Sequence, residues 1–176
     1  MQPPLLIRPL TLADRDAALA VINTAARWYR EFLPAEECHD PEMTPAAWEA
    51  EARRMTWYGA FADGTLVGVM GLEPVRDAAL LRHAYVLPEY QRQGVGARLR
   101  EHLEAQIPSG ARIIVGTYAA NYKAGRALEK AGYRRSPDSE AILRAYYSIP
   151  EDRLLSSVVY EKHRPFCGLD GHDELG

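Results

Sequence analysis

The chain has 176 residues, a length that predicts one domain able to bury a core without metal or disulfide staples. Hydrophobic residues make up 47% and charged residues 26%, which excludes a disordered or fibrous chain. With 21 basic and 24 acidic residues the formal net charge is −3, which lacks the field of a general nucleic-acid binder.

Leu5 to Leu10 is apolar and bounded by prolines, and reads as a first strand. Thr11 and Asp14 are candidate caps for a helix running to about Phe32. Pro34 to Pro41 breaks the pattern. Thr44-Pro45 then reads as an N-cap followed by proline at the first helical position, opening a helix that ends near Met55. Trp57–Ala62 and Thr65–Leu72 flank Asp63-Gly64, a strong hairpin signal. A loop over Glu73–Asp77 leads to a strand over Ala78–Leu87, stopped by Pro88. Val95, Leu99, Leu103 and Ile107 recur every four residues and predict a helix ended by Pro108 and Gly110. Arg112–Thr117 is strand-like, and Tyr122–Ala131 is helical with Gly132 placed to end it. Ile142–Ser148 and Ser156–Glu161 read as two closing strands, and Phe166–Gly176 as a loose end.

The strand, helix and strand over 78–117 form a βαβ unit with parallel neighbours, whereas the hairpin is antiparallel. The expected fold class is therefore α/β (mixed α+β), a mixed sheet with helices on both faces. One domain spans residues 1–163, with a tail over 164–176. In such sheets ligands sit at the carboxyl ends of the parallel strands, here Leu87–Gly96 and Thr117–Asn121. Met1-Gln2-Pro3-Pro4 lacks the layout of a signal peptide, and no run approaches the roughly 18 apolar residues of a membrane span. Cys38 and Cys167 are too few for a zinc site or a disulfide framework. The expectation is a cytoplasmic protein with plain thiols, no metal, and no nucleic-acid or membrane partner.

Gln91-Arg92-Gln93-Gly94-Val95-Gly96 lies between the long strand and its helix. The first N–H groups of a helix lack intrahelical partners, and the helix dipole adds partial positive charge. Gly94 and Gly96 have no Cβ to keep a ligand from the backbone, and Arg92 adds a full charge. That is an anion-binding arrangement suited to a pyrophosphate. It is neither a Walker A loop, having no GK[ST], nor GxGxxG.

In its setting after Leu81–Pro88, this segment resembles the acetyl-CoA loop of the GCN5-related N-acetyltransferase (GNAT) family, (Gln/Arg)-x-x-Gly-x-(Gly/Ala). Gln91, Gly94 and Gly96 match its three defined positions. Val67–Gly71 is similar to the family's third strand, and Gly116-Thr117 through Glu129–Tyr133 to its fifth strand and following helix. Tyr146–Glu151 and Ser157–Val159 resemble closing strands. The resemblance spans about residues 5 to 161. It implies a mostly antiparallel sheet around the βαβ unit and acetyl transfer from acetyl-CoA, the cosubstrate, to an amine in a ternary complex. It also implies an acceptor pocket built from the first two helices, their loop and the closing strands. A homodimer is compatible with it. The implied cofactor-binding residues are Tyr85, Val86, Leu87, Gln91, Arg92, Gln93, Gly94, Val95, Gly96, Ala97, Asn121 and Leu128, with the Val86 N–H facing the thioester oxygen.

The sequence departs from the family at one point. The usual general acid is a tyrosine where Leu128 stands, and leucine cannot donate a proton. Tyr122 is six residues from Leu128 and faces elsewhere, so Tyr118 is the candidate replacement. His83 and Glu73 are candidate bases, His83 because it titrates near neutral pH. Arg82, its neighbour on the strand, is expected to face the opposite way. Trp28, Tyr29, Trp48 and Trp57 could line the acceptor pocket. Leu128 also supports an alternative, a catalytically weakened acyl-CoA-binding or regulatory module.

Overall fold

A computed structural model describes residues 4–166. Seven strands form one sheet in the order β1-β2-β3-β4-β5-β7-β6. β1 (Leu5–Pro9), β2 (Thr56–Ala62), β3 (Thr65–Val75) and β4 (Ala78–Val86) run antiparallel to one another. β5 (Arg112–Tyr118) is parallel to β4, and β7 (Ser157–His163) returns antiparallel beside β5. A two-residue β6 (Arg134–Arg135) closes the edge. Asp63 and Gly64 both have positive φ, 48° and 79°, the signature of the tight turn their sequence predicts.

Six α-helices cover the two faces. α3 (Val95–Glu104) and α4 (Tyr122–Lys130) lie on one, where Val95, Leu99, Leu103 and Leu128 pack with Val67, Leu81, Ile113 and Val158. Leu99 is fully buried, so Leu99→Ala would cost about 2–5 kcal/mol. α1 (Arg15–Ala25) and α2 (Pro45–Ala52) cover the first half of the other face through Ala18, Ile22 and Trp48. α5 (Ser139–Tyr146) and α6 (Glu151–Ser156) cover its second half, over Leu80, Ile114 and Val159.

The structure corrects four expectations. The first helix ends at Ala25 and continues only as tight 3₁₀ turns to Glu31. Ile142–Ser148 is not a strand: Ile142, Leu143 and Tyr146 fall on one helical stripe, and α5 buries Ile142 and Leu143 against the sheet. Glu73 lies within β3 rather than in a loop, and β3 runs on to Val75. The start of the expected tail is tied down, since Arg164 donates its N–H to Ala111 O and accepts from Gly110 N–H, both at 2.8 Å. The remainder of that tail, with Cys167, lies outside the described residues, as do Met1–Pro3. No helix of the described residues is long and apolar enough to cross a membrane.

Candidate active site

β4 and β5 pair only over Ala78–Leu81 and Arg112–Val115. Beyond that four-residue seam they part, and a cleft of about 610 Å³ fills the gap. Backbone polarity along the gap follows from the ladder. Leu87 N–H donates to Val67 O across β3 at 2.9 Å, so by alternation the Val86 N–H points the other way, into the gap. The Val86 carbonyl on the same edge accepts from the Gln91 side-chain amide at 3.1 Å.

The loop that follows turns tightly. Arg92 and Gly94 both have positive φ, 62° and 78°, and Gly94 is the residue that precedes α3. No side chain caps this helix, as none caps α1, α5 or α6, whereas Thr44 caps α2 and Asn121 caps α4. The opening N–H groups of α3 are thus left for an outside acceptor. A Cβ at Gly96 would meet only Val86 Cγ2, at an ordinary 3.8 Å. The fold itself does not require glycine there, and the space beside it belongs to the cleft. These residues fit a pyrophosphate-bearing acyl carrier, held by helix-opening amides and Arg92.

Val86, Gln91, Arg92, Gly94, Val95, Gly96, Ala97, Asn121 and Leu128 all border the cleft. Three expected contacts do not. Leu87 has its N–H engaged by Val67, and Gln93 turns away to donate to Glu89 O at 3.0 Å. Glu73 also lies outside the lining. Tyr85 borders the cleft, but with its ring toward the 3₁₀ turns after α1, where its centroid lies 6.1 Å from that of Tyr29. It is pointed toward Tyr29 rather than the loop.

Leu128 is buried among Val95 and Leu99 on the α4 side of the cleft. Tyr118 occupies the opposite side, its ring 5.2 Å from Tyr29 and 6.4 Å from Phe32. Burial pushes its phenol above the ordinary range, so it holds its proton and can donate at neutral pH. Tyr122 is 74% exposed and takes no part. Trp28 and Tyr29 line the cleft, whereas Trp48 and Trp57 are stacked core residues with centroids 5.5 Å apart.

His83 lines the cleft from a β-bulge, with φ of 55°. The bulge overturns the expected alternation: Arg82 and His83 both face Glu51 of α2. Arg82 donates to Glu51 and to Glu73, each at 2.8 Å. Glu73 is only 8% exposed, so it is a buried partner of Arg82 rather than a loop acid or a base facing the cleft. His83 Nε2 lies 3.8 Å from Glu51 Oε1. Burial lowers the imidazole's pKa, and Glu51 opposes that. Burial would raise Glu51 itself, yet His83 and Arg82 outweigh it and hold the carboxyl at about 2.

Sequence reasoning missed Glu51, Glu42 and Arg153. Glu51 carried a signal: it follows Trp48 by three residues, on the buried face of α2. Glu42 and Arg153 form an ion pair at 2.9 Å between the α1–α2 connection and α6. Nothing local in the sequence joins them.

The family profile described as Acetyltransferase (GNAT) family matches residues 22–133, more than half of the chain. The chain belongs to the GNAT acetyltransferase family. Among solved structures it is similar to the PaiA N-acetyltransferase from Thermoplasma acidophilum in complex with coenzyme A. Identity is 18%, the TM-score 0.68, and the match covers 91% of this chain and 99% of that one. The ribosomal-protein-S18-alanine N-acetyltransferase from Escherichia coli has 20% identity and a TM-score of 0.66, with 96% and 99% covered. N-acetylglutamate synthase from Neisseria gonorrhoeae, complexed with coenzyme A and N-acetyl-glutamate, has 18% identity and a TM-score of 0.65, with 93% and 36% covered. At these identities the likeness is one of GNAT fold. A comparison with curated sequences gives no significant match.

Proposed function

We propose that the protein transfers an acetyl group from acetyl-CoA to a primary amine, of a small molecule or a protein, by direct attack in a ternary complex. The observation that carries this reading is the Val86 N–H directed into the gap beside the uncapped start of α3. An ammonium must first lose a proton, because a cation has no lone pair to attack with. The C–N bond then forms as the C–S bond breaks, and the electron pair leaves on sulfur. The Val86 N–H meets the negative charge that develops on the thioester oxygen. His83 is positioned to take the ammonium proton, and Tyr118 to supply one to the sulfur.

The acceptor enters from the side of Trp28, Tyr29, Tyr85 and Tyr118. Cys38 is a free thiol, which fits the reducing cytoplasm. A homodimer is part of the same reading. Calorimetry with acetyl-CoA tests the cofactor. Thiol release with ethanolamine, 1,4-diaminobutane, lysine and a peptide with a free N-terminus tests transfer. No acetyl-CoA binding at about 1 mM, weaker than ordinary cosubstrate affinities, overturns the reading. Leu128 favours one second reading, an acyl-CoA-binding module. Tight binding without amine-dependent thiol release would select it.

A further inference from the structure

We propose that Glu51 of α2 is the positioning residue for His83: its carboxylate, braced by Arg82, faces the buried Nε2 of the imidazole and leaves the ring open to the cleft on its other side. The inference rests on the acetyltransferase reading above. His83 Nε2 is buried with no hydrogen-bond partner, while 20% of the side chain stays exposed. The ring is held from behind by Trp57, with centroids 5.4 Å apart. Glu51 Oε1 stands 3.8 Å from Nε2, within a small ring rotation of a hydrogen bond.

Charge decides what this contact does. Glu51 and Glu73 share one buried guanidinium, that of Arg82. Two carboxylates and one cation leave one net negative charge beside the imidazole. Arg54, 46% exposed, adds a solvent-screened contact to Glu51 at 3.0 Å. Glu42, from the α1–α2 connection, also favours a protonated ring. Burial, and after it the Arg82 charge, oppose protonation of His83 and keep its pKa below the ordinary value, and the Glu51 and Glu42 carboxylates offset only part of this.

Nε2 keeps its proton toward Glu51, so the basic lone pair is on Nδ1. Nδ1 takes one proton from the ammonium. The neutral amine attacks the thioester carbon, the C–N bond forms and the C–S bond breaks. Tyr118 gives its phenol proton to the sulfur, forming a thiol, and the second nitrogen proton restores the phenol. The imidazolium returns its proton to solvent, while Glu51 stays ionised throughout.

The test is His83's own titration, followed by NMR on histidine-labelled full-length protein and assigned by its loss in His83→Gln. Glu51→Gln keeps the shape and removes the charge, and is expected to lower the His83 midpoint by about one pH unit, a tenfold loss of proton affinity. Glu51→Asp withdraws the charge by one methylene and gives a smaller shift in the same direction. It decides the matter if Glu51→Gln fails to fold by circular dichroism. With the fastest of the four amines above, Glu51→Gln should lower kcat about tenfold. The acid limb of the rate profile should move down with the NMR midpoint, and acetyl-CoA affinity should stay within twofold. An unmoved midpoint in either folded variant, or full activity in His83→Gln, overturns the inference. The NMR result is independent of turnover, so failure of this inference and failure of the acetyltransferase reading are told apart by acetyl-CoA calorimetry on the unmodified protein.

Discussion

The hydroxyl of Tyr147 accepts the N–H of Gly116 at 3.0 Å, in the place that β4 vacates beside β5. Gly116 faces Val159 across the β5–β7 ladder, but Val159 donates its own N–H to Ser139 Oγ at 2.9 Å and accepts from Ser136 N–H at 2.8 Å. The Gly116 N–H is therefore turned toward the gap, where it has no strand partner. Tyr147 supplies one and stabilises the parted strands without filling them. Tyr147→Phe should orphan this N–H and cost about 1–3 kcal/mol. Urea denaturation measures the loss, and faster hydrogen exchange at Gly116 should accompany it.

Gly96 separates what the fold needs from what the ligand needs. A side chain there meets no close neighbour within the chain, and glycine lowers helix stability by about 0.5–1 kcal/mol relative to alanine. Gly96→Ala should therefore hold or raise the melting temperature. Gly96→Val should keep the fold yet weaken acetyl-CoA tenfold or more. Gly94→Ala, at φ of 78°, should lower stability by about 1 kcal/mol through backbone strain alone. Unchanged calorimetric affinity in Gly96→Val would falsify the loop assignment.

Tyr118 and Leu128 stand on opposite sides of the cleft, so they do not substitute for one another in place. Tyr118→Phe removes a protonated phenol but keeps the ring contacts with Tyr29 and Phe32. It should reduce kcat about 10- to 100-fold, within the range of a general acid, and leave acetyl-CoA affinity intact. Leu128→Tyr adds volume among Val95 and Leu99 and should destabilise by about 1–3 kcal/mol. If both variants turn over at the rate of the parent protein, release of the thiolate needs no acid from the protein.

Asp14 gives a pH signature remote from the cleft. Arg8 donates to it through two nitrogens at 2.9 Å each, and Thr11 N–H donates at 2.8 Å. The Arg8 hydrogen bonds, then that of Thr11, pull the carboxyl down to about 2. A depressed folded pKa stabilises above the ordinary aspartate value and loses its effect as pH falls through the folded one. Asp14→Asn should thus be less stable than the parent at neutral pH by about 1 kcal/mol or less, as partly exposed pairs are. The difference should close between about pH 4 and pH 2. Denaturation midpoints across that window check it.

The sheet and loop were legible because their signals are local. Asp63-Gly64 sets its own turn, and the apolar stripe from Val95 sets the helix that follows the loop. The side of the cleft around His83 was not, because it depends on contacts distant in sequence. Period-two alternation puts Arg82 and His83 on opposite faces. A bulge opposite Met70 brings both to Glu51, 31 residues from Arg82. Glu73 looks like a loop acid until Arg82 is seen beside it. Ile142–Ser148 is rich in aromatic and β-branched residues that favour strands, yet the surface offered by Leu80, Ile114 and Val159 selects the helical spacing.

The four-residue seam between β4 and β5 also divides the molecule in order of synthesis. β1 to β4 can pair as soon as residue 86 has emerged, β2–β3 and β3–β4 through hairpins of short loop closure and β1–β2 across residues 10–55, which carry α1 and α2. β5 waits for β7, some 40 residues further on, before its distal edge is covered. On the ribosome, the half of the sheet carrying Tyr118 is therefore completed last. A chain arrested before residue 157 would hold the loop over residues 91–96 folded beside a β5 with its distal edge bare, a nascent form prone to pair with other strands.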